Sequence, residues 1–234
     1  MTQCASFVQC CRRAAVRLLT RVIGRLTRIG QRVHGEGQAQ SSHHKEDLAM
    51  TLTAPVQGIH HIAFGTKCTR ATYEFYNDKL GMPLMHTENH KLKDGYFRHF
   101  FFDMGMGQAL GFFEIHDVGE QPNYRTDPST GLGLPIWVNH VSFRVPDMAS
   151  YEAFRERLRE RGVMILGETD HDFCQSMYLL DPNMLMIEFS VDTDTEKFGM
   201  THDEAYKLLF DTPPEQIPES AYKGRKNPKV KIYV

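Results

Sequence analysis

The chain has 234 residues, 41% of them hydrophobic, and a net charge of −2. That is enough apolar material for a sizeable core and too little charge bias for a disordered chain. Residues 1–35 hold seven arginines and no acidic residue, so the remainder is acidic overall, which excludes a main body that binds nucleic acid through charge. Five cysteines, three of them within the first eleven positions, imply no disulfide framework and fit a reducing compartment.

Arg13, Arg17, Arg21, Arg25, Arg28 and Arg32 recur at helical spacing with Val16, Leu19, Val22, Ile23 and Leu26 between them. This is a basic amphipathic helix. Arginine interrupts every apolar run, so the segment is neither a transmembrane span nor a secretory signal core. It has the character of a mitochondrial presequence or of a dispensable extension, and residues 36–55, polar and rich in Gly and Ser, read as a linker. The expected compartment is the cytoplasm, or the mitochondrial matrix if the arginine-rich start is a presequence.

A strand is predicted at 58–65 and a helix from Thr69, as N-cap, to Leu80, with Gly81 as its stop. Strands follow near 83–88, 95–103 and 108–116, the last two joined by the turn-like run from Met104 to Gly107. A long Gly- and Pro-rich connection spans 117–136. The same order then returns: a strand at 138–145, a helix capped by Asp147 and stopped by Gly162, and strands near 163–168, 174–180 and 184–190. The organisation is therefore 1–55 extension and linker, 56–191 domain (modules 58–116 and 138–191), and 192–234 tail with a short helix from about Thr201 to Phe210. The tail is expected to pack along the outside.

The two modules are alike in sequence as well as in order. Ile59-His60-His61-Ile62-Ala63-Phe64 is echoed by Val138-Asn139-His140-Val141-Ser142-Phe143, and Phe112-Phe113-Glu114-Ile115 by Met186-Ile187-Glu188-Phe189. Alternation places His61 beside the small Ala63 and His140 beside the small Ser142, away from the apolar faces formed by Ile62 and Phe64 and by Val141 and Phe143. Glu114 and Glu188 likewise oppose apolar neighbours. A carboxylate on a sheet face is costly to bury unless it is paired or ligates a metal. A repeat that returns a His and a Glu to each half makes His61, Glu114, His140 and Glu188 candidate metal ligands. His60 aligns with Asn139 and reads as a supporting group, and His116 as a strand-end residue.

These openings, the following helices and the glutamate-bearing last strands resemble the vicinal oxygen chelate superfamily, which includes glyoxalase I, extradiol dioxygenases, epimerases and resistance proteins. The resemblance covers about residues 58–191. It implies an α+β fold of two βαβββ modules whose mixed sheets curl around a divalent metal held by His61, Glu114, His140 and Glu188. Module two also resembles the extradiol dioxygenase signature: Thr169-Asp170-His171, Met177-Tyr178, Asp181-Pro182-Asn183 and Glu188 fit, while Met184 stands where Gly or Pro is usual. Glycine would give that turn its backbone freedom, so Asn183 is expected to take the left-handed conformation instead.

By that resemblance His61, His140 and Glu188 form a two-His-one-carboxylate triad on Fe(II) or Mn(II), with Zn or Ni as alternatives, and His171 and Tyr178 contact substrate oxygens. The acid/base histidine of ring-cleaving members would fall on the third strand of module one, where Phe100-Phe101-Phe102 stand and His99 is only nearby. The expected function is a metal-dependent, extradiol dioxygenase-like oxidoreductase acting on a small aromatic or hydrophobic molecule. The alternatives are a glyoxalase- or epimerase-like lyase or isomerase using all four ligands, and a non-catalytic small-molecule binder. Phe100 to Phe102, Phe112 and Trp137 are candidates for an apolar lining. The expected partners are a small-molecule substrate and, in a homodimer, a second copy of the chain.

Overall fold

The computed structural model describes residues 56, 58–119 and 123–211. The expectations for the basic extension and linker, and for the basic end of the tail, lie outside the described residues. Module one comprises β1 (His61–Thr66), helix α1 (Thr69–Tyr73) continuing as a π-helix over Glu74–Leu80, β2 (Leu84–Lys91), β3 (Tyr96–Gly105) and β4 (Gln108–His116). Module two comprises β5 (His140–Arg144), α2 (Met148–Glu160), β6 (Gly167–Asp170), β7 (Cys174–Leu180) and β8 (Met186–Asp192). Each module is βαβββ, as expected. The sheets are ordered β1-β4-β3-β2 and β5-β8-β7-β6, and the first strand of each runs parallel to the last while the other pairs are antiparallel.

Local chemistry explains most of the boundaries. Asp147 caps α2 by accepting from the Ser150 amide at 2.7 Å. Gly81 ends the first helix with φ 78°, a conformation that costs glycine no Cβ clash. The cap of α1 is Cys68 rather than Thr69: its Sγ accepts from the Ala71 amide at 3.5 Å, which frees the Thr69 hydroxyl to donate to Glu114 at 2.7 Å. Cys68 is disulfide-bonded, whereas Cys174 is buried and free. The strand expected at 163–168 lies instead at Gly167–Asp170, because Val163 and Ile165 are buried in the core before pairing with β7 begins.

One core joins the modules. It gathers Phe75, Tyr76, Leu80, Phe100, Phe102, Leu110 and Phe112 from module one with Tyr151, Leu158, Met177, Leu179, Leu185, Ile187 and Val191 from module two. Polar ties cross the same seam. The Tyr76 hydroxyl donates to Asp181 at 3.1 Å, Asn183 Nδ2 to Thr72 Oγ1 at 3.2 Å, and Arg161 to the Asp78 and Lys79 carbonyls at 2.6 and 3.1 Å. The modules therefore meet through the faces that carry their helices. The opposite face of each sheet is left open, as the exposure of Ala63 and Ser142 confirms. In the tail, α3 (Thr195–Phe198) is followed by α4 (His202–Tyr206) and a π turn over Lys207–Asp211. A Thr201–Glu204 capping box opens α4. Leu209 and Phe210 stay 73% and 63% exposed, so the expected packing along the outside is not seen for these side chains.

Candidate metal centre

The open face of module two holds a connected polar array. Glu188, 7% exposed in the middle of β8, presents Oε1 to two donors, the Tyr178 hydroxyl at 3.1 Å and the Ser190 hydroxyl at 2.9 Å. Its other oxygen, Oε2, lies 3.1 Å from His140 Nε2. The pairing of Ser142 with Glu188 puts His140 two residues back along β5, on the same face. His171 completes the chain: its Nε2 is 2.7 Å from the Tyr178 hydroxyl. Since that hydroxyl gives its hydrogen to the carboxylate, the imidazole donates and the tyrosine accepts. Burial and the adjacent Glu188 charge push the Tyr178 phenol well above its ordinary range, so it remains a donor at any working pH.

His140 Nδ1 lies 2.9 Å from the Trp137 carbonyl. A carbonyl only accepts, so Nδ1 carries a hydrogen and Nε2 is turned toward Oε2 of Glu188. Without a hydrogen on Nε2 the two facing atoms would both be acceptors at hydrogen-bond distance. A proton or a metal cation between them resolves the conflict, and two cis ligands at about 2.1 Å from an octahedral divalent ion sit roughly 3 Å apart. The pair fits a metal. The Trp137 carbonyl holds the ring's orientation, as the outer partner of a ligating histidine would.

The open face of module one carries His61. Its Nδ1 is 2.9 Å from His60 Nδ1, and its ring meets Phe101 and His99 edge-on at 5.7 and 6.2 Å. His99 pairs with Phe113 across β3 and β4, hence shares the His61 face. It is 9% exposed, stacks on Phe113 at 3.6 Å, and its Nε2 has no hydrogen-bond partner. Desolvation is the chief cause of its lowered pKa, so the ring is neutral near pH 7. Gly111 makes room for it: a Cβ there would lie 3.0 Å from His99 Nε2 and 3.2 Å from Phe101. His99 was legible in principle, because alternation along β3 separates Arg98, Phe100 and Phe102 from Phe97, His99 and Phe101.

Glu114 is not on that face. The registers pair Phe64 with Phe112 and Phe143 with Phe189, so the position matching Glu188 is Gly111, three residues before Glu114. Glu114 shares the helix side with Phe112, where it accepts from Thr69 and from Arg98 at 3.2 Å, with His116 at 3.5 Å. Of the proposed lining, Phe100, Phe102 and Phe112 are core; Phe101 alone of these phenylalanines faces His61, and Trp137 is 58% exposed. The left-handed residue of the 181–184 turn is Met184, φ 64°, rather than Asn183. Asn183 is held by bonds to Asp181 and Thr72, which leaves the conformation to its neighbour.

The structure thus joins His140, Glu188, Tyr178 and His171 on one open face, and His61 with His99 on another. Among the described residues no three His, Cys, Asp or Glu side chains converge as a metal group, and no helix is long and apolar enough to cross a membrane.

The fold and site thus present a twofold βαβββ frame with a His–Glu pair on an open sheet face. The model of the Glyoxalase/Bleomycin resistance protein/Dioxygenase superfamily matches residues 58–189, more than half of the chain, and the chain belongs to that superfamily. Similar solved structures include a lactoylglutathione lyase from Agrobacterium tumefaciens (19% identity, 63% of this chain and 100% of that one, TM-score 0.43). A glyoxalase/dioxygenase from Nostoc punctiforme is 19% identical over 62% of this chain and 98% of its own, with TM-score 0.45. A fosfomycin resistance protein variant from Listeria monocytogenes, complexed with Mn(II) and a dihydroxypropylphosphonic acid, is 18% identical over 62% and 99%, with TM-score 0.42.

Proposed function

We propose that the protein is a metal-dependent enzyme of this superfamily with a two-His-one-carboxylate centre, and that its chemistry is extradiol dioxygenase-like, on a small molecule that chelates through vicinal oxygens. The observation that carries the reading is the approach of His140 Nε2 to Glu188 Oε2 at 3.1 Å on the open face of the second sheet. His140 and Glu188 would hold the ion and His61 would supply the second imidazole. Fe(II) or Mn(II) suits this donor set, and the bound ion would supply Lewis acidity and open positions for substrate oxygens. With Glu114 on the helix side, the shell carries a single negative charge. That favours an anionic chelating substrate such as a catecholate.

The modules join through their helix faces, so His61 and the His140–Glu188 pair look out from separate open faces. The ligand set is complete in a homodimer, where module one of one copy covers module two of the other. Around the centre, Tyr178 and Ser190 hold Glu188 with one oxygen free, and His171 fixes Tyr178. Neutral His99, with an unused Nε2, is the group suited to accept a substrate proton. The rings of Phe101 and Phe113 line that side.

Protein purified without oxygen, loaded with Fe(II) or Mn(II) and screened for oxygen uptake with substituted catechols tests the proposal. Uptake that depends on the metal and is lost in His140→Ala is expected. No uptake with any catechol, together with isomerisation of a hemithioacetal, would replace it with the glyoxalase-like reading.

A further inference from the structure

We infer that the cleft between the first helix and the back of the first sheet is a second binding site, for a small monocarboxylate with an apolar body. This site goes beyond the metal reading and does not depend on it, because it lies on the sheet face opposite His61. The cleft has a volume of about 470 Å³, within the range of pockets that hold small organic ligands. Thr69, Arg70 and Tyr73 line it from the helix; Leu84, Thr87, Arg98, Phe100 and Glu114 line it from the sheet.

The charges in the cleft select the ligand. Glu114, buried to 15% side-chain exposure, is neutralised by Arg98 at 3.2 Å and accepts from Thr69. Arg98 is fixed in turn by donating Nε to Asn89 at 2.9 Å. The Arg70 side chain makes no hydrogen bond or ion pair among the described residues, so the cleft keeps one uncompensated guanidinium. A single carboxylate satisfies it, while a phosphate dianion would meet the Glu114 charge without a second free cation. Tyr73 and Leu84 offer the apolar and aromatic surface against which the body of such a ligand would lie, over the buried ring of Phe100. The Tyr73 and Thr87 hydroxyls, neither of them bonded within the described residues, add polar contacts for a substituent.

Isothermal titration of the full-length protein with hydrocinnamate tests this, with hydrocinnamyl alcohol as the neutral analogue. Saturable binding is expected, weakened about ten- to a hundredfold in Arg70→Gln and by a similar factor for the alcohol, as for loss of one charge-assisted contact. Arg70 is exposed and unpaired, so the variant should melt with the wild type. Thr87→Phe, which fills the cleft from an exposed strand, should also abolish binding. His140→Ala should leave it unchanged, which separates this site from the metal centre. Absence of saturable binding, equal binding in Arg70→Gln, or loss of binding in His140→Ala would overturn the assignment.

Discussion

His140 Nε2 and Glu188 Oε2 approach within 3.1 Å while the Trp137 carbonyl holds the other imidazole nitrogen. That relationship makes removal of either residue informative. His140→Ala and Glu188→Gln should each remove about one equivalent of divalent metal, read by elemental analysis of protein dialysed against buffer without chelator. Glu114→Gln, altered on the other face of the sheet, should keep its metal. Metal lost in Glu114→Gln and retained in His140→Ala would reverse the assignment.

Tyr178 donates to the carboxylate oxygen that is turned away from His140, and it remains protonated because burial and Glu188 raise its pKa. Tyr178→Phe should therefore weaken metal binding about 10- to 100-fold, the usual cost of losing an outer-shell partner. Competition with a chromogenic chelator would measure it. The melting temperature should move little, since Ser190 still holds the same oxygen.

A shared centre predicts complementation. His61→Ala and His140→Ala should each be metal-poor alone. Unfolding and refolding the two together should restore metal to about one site in each mixed dimer, because one interface then contains both intact histidines. A mixture that stays as metal-poor as its components would show that the ligands are not contributed by two copies.

Gly111→Ala tests the packing around His99. The added methyl would sit 3.0 Å from His99 Nε2 and 3.2 Å from the Phe101 ring, so the imidazole must shift or the strands must part. A loss of about 1–3 kcal/mol in denaturant unfolding is expected, with activity falling further than stability because the displaced ring is the proposed proton acceptor.

Asp181 gives a pH prediction. Burial raises its carboxyl to about 6 from 3.8, against the lowering influence of bonds from Asn183, Leu185 and Tyr76. The folded state thus holds the proton more tightly than the unfolded chain. The stabilisation is fully present below pH 4 and is lost as pH rises through 6. Relative to Asp181→Asn, the wild type should lose on the order of 2–3 kcal/mol between pH 4 and pH 7, read from paired urea titrations.

The sequence alone determined the twofold βαβββ order, both helix stops, and the sharing of a face by His140 and Glu188. Each of these follows from local rules, namely alternation along a strand, helical periodicity and the backbone freedom of glycine. The misplacement of Glu114 shows where those rules end. Its resemblance to Glu188 rested on counting residues along the chain, but the partner of a strand residue is fixed by hydrogen-bond register with a strand some fifty residues away, and a shift of three positions exchanges the two faces of the sheet. Alternation along β3 already set Phe100 and Phe102 apart from His99, and register with β4 decided which set faced the core. Which faces of the two sheets meet was decided only by the tertiary packing of Tyr76, Leu80, Leu158 and Leu185, and that choice is what separates His61 from His140 and Glu188.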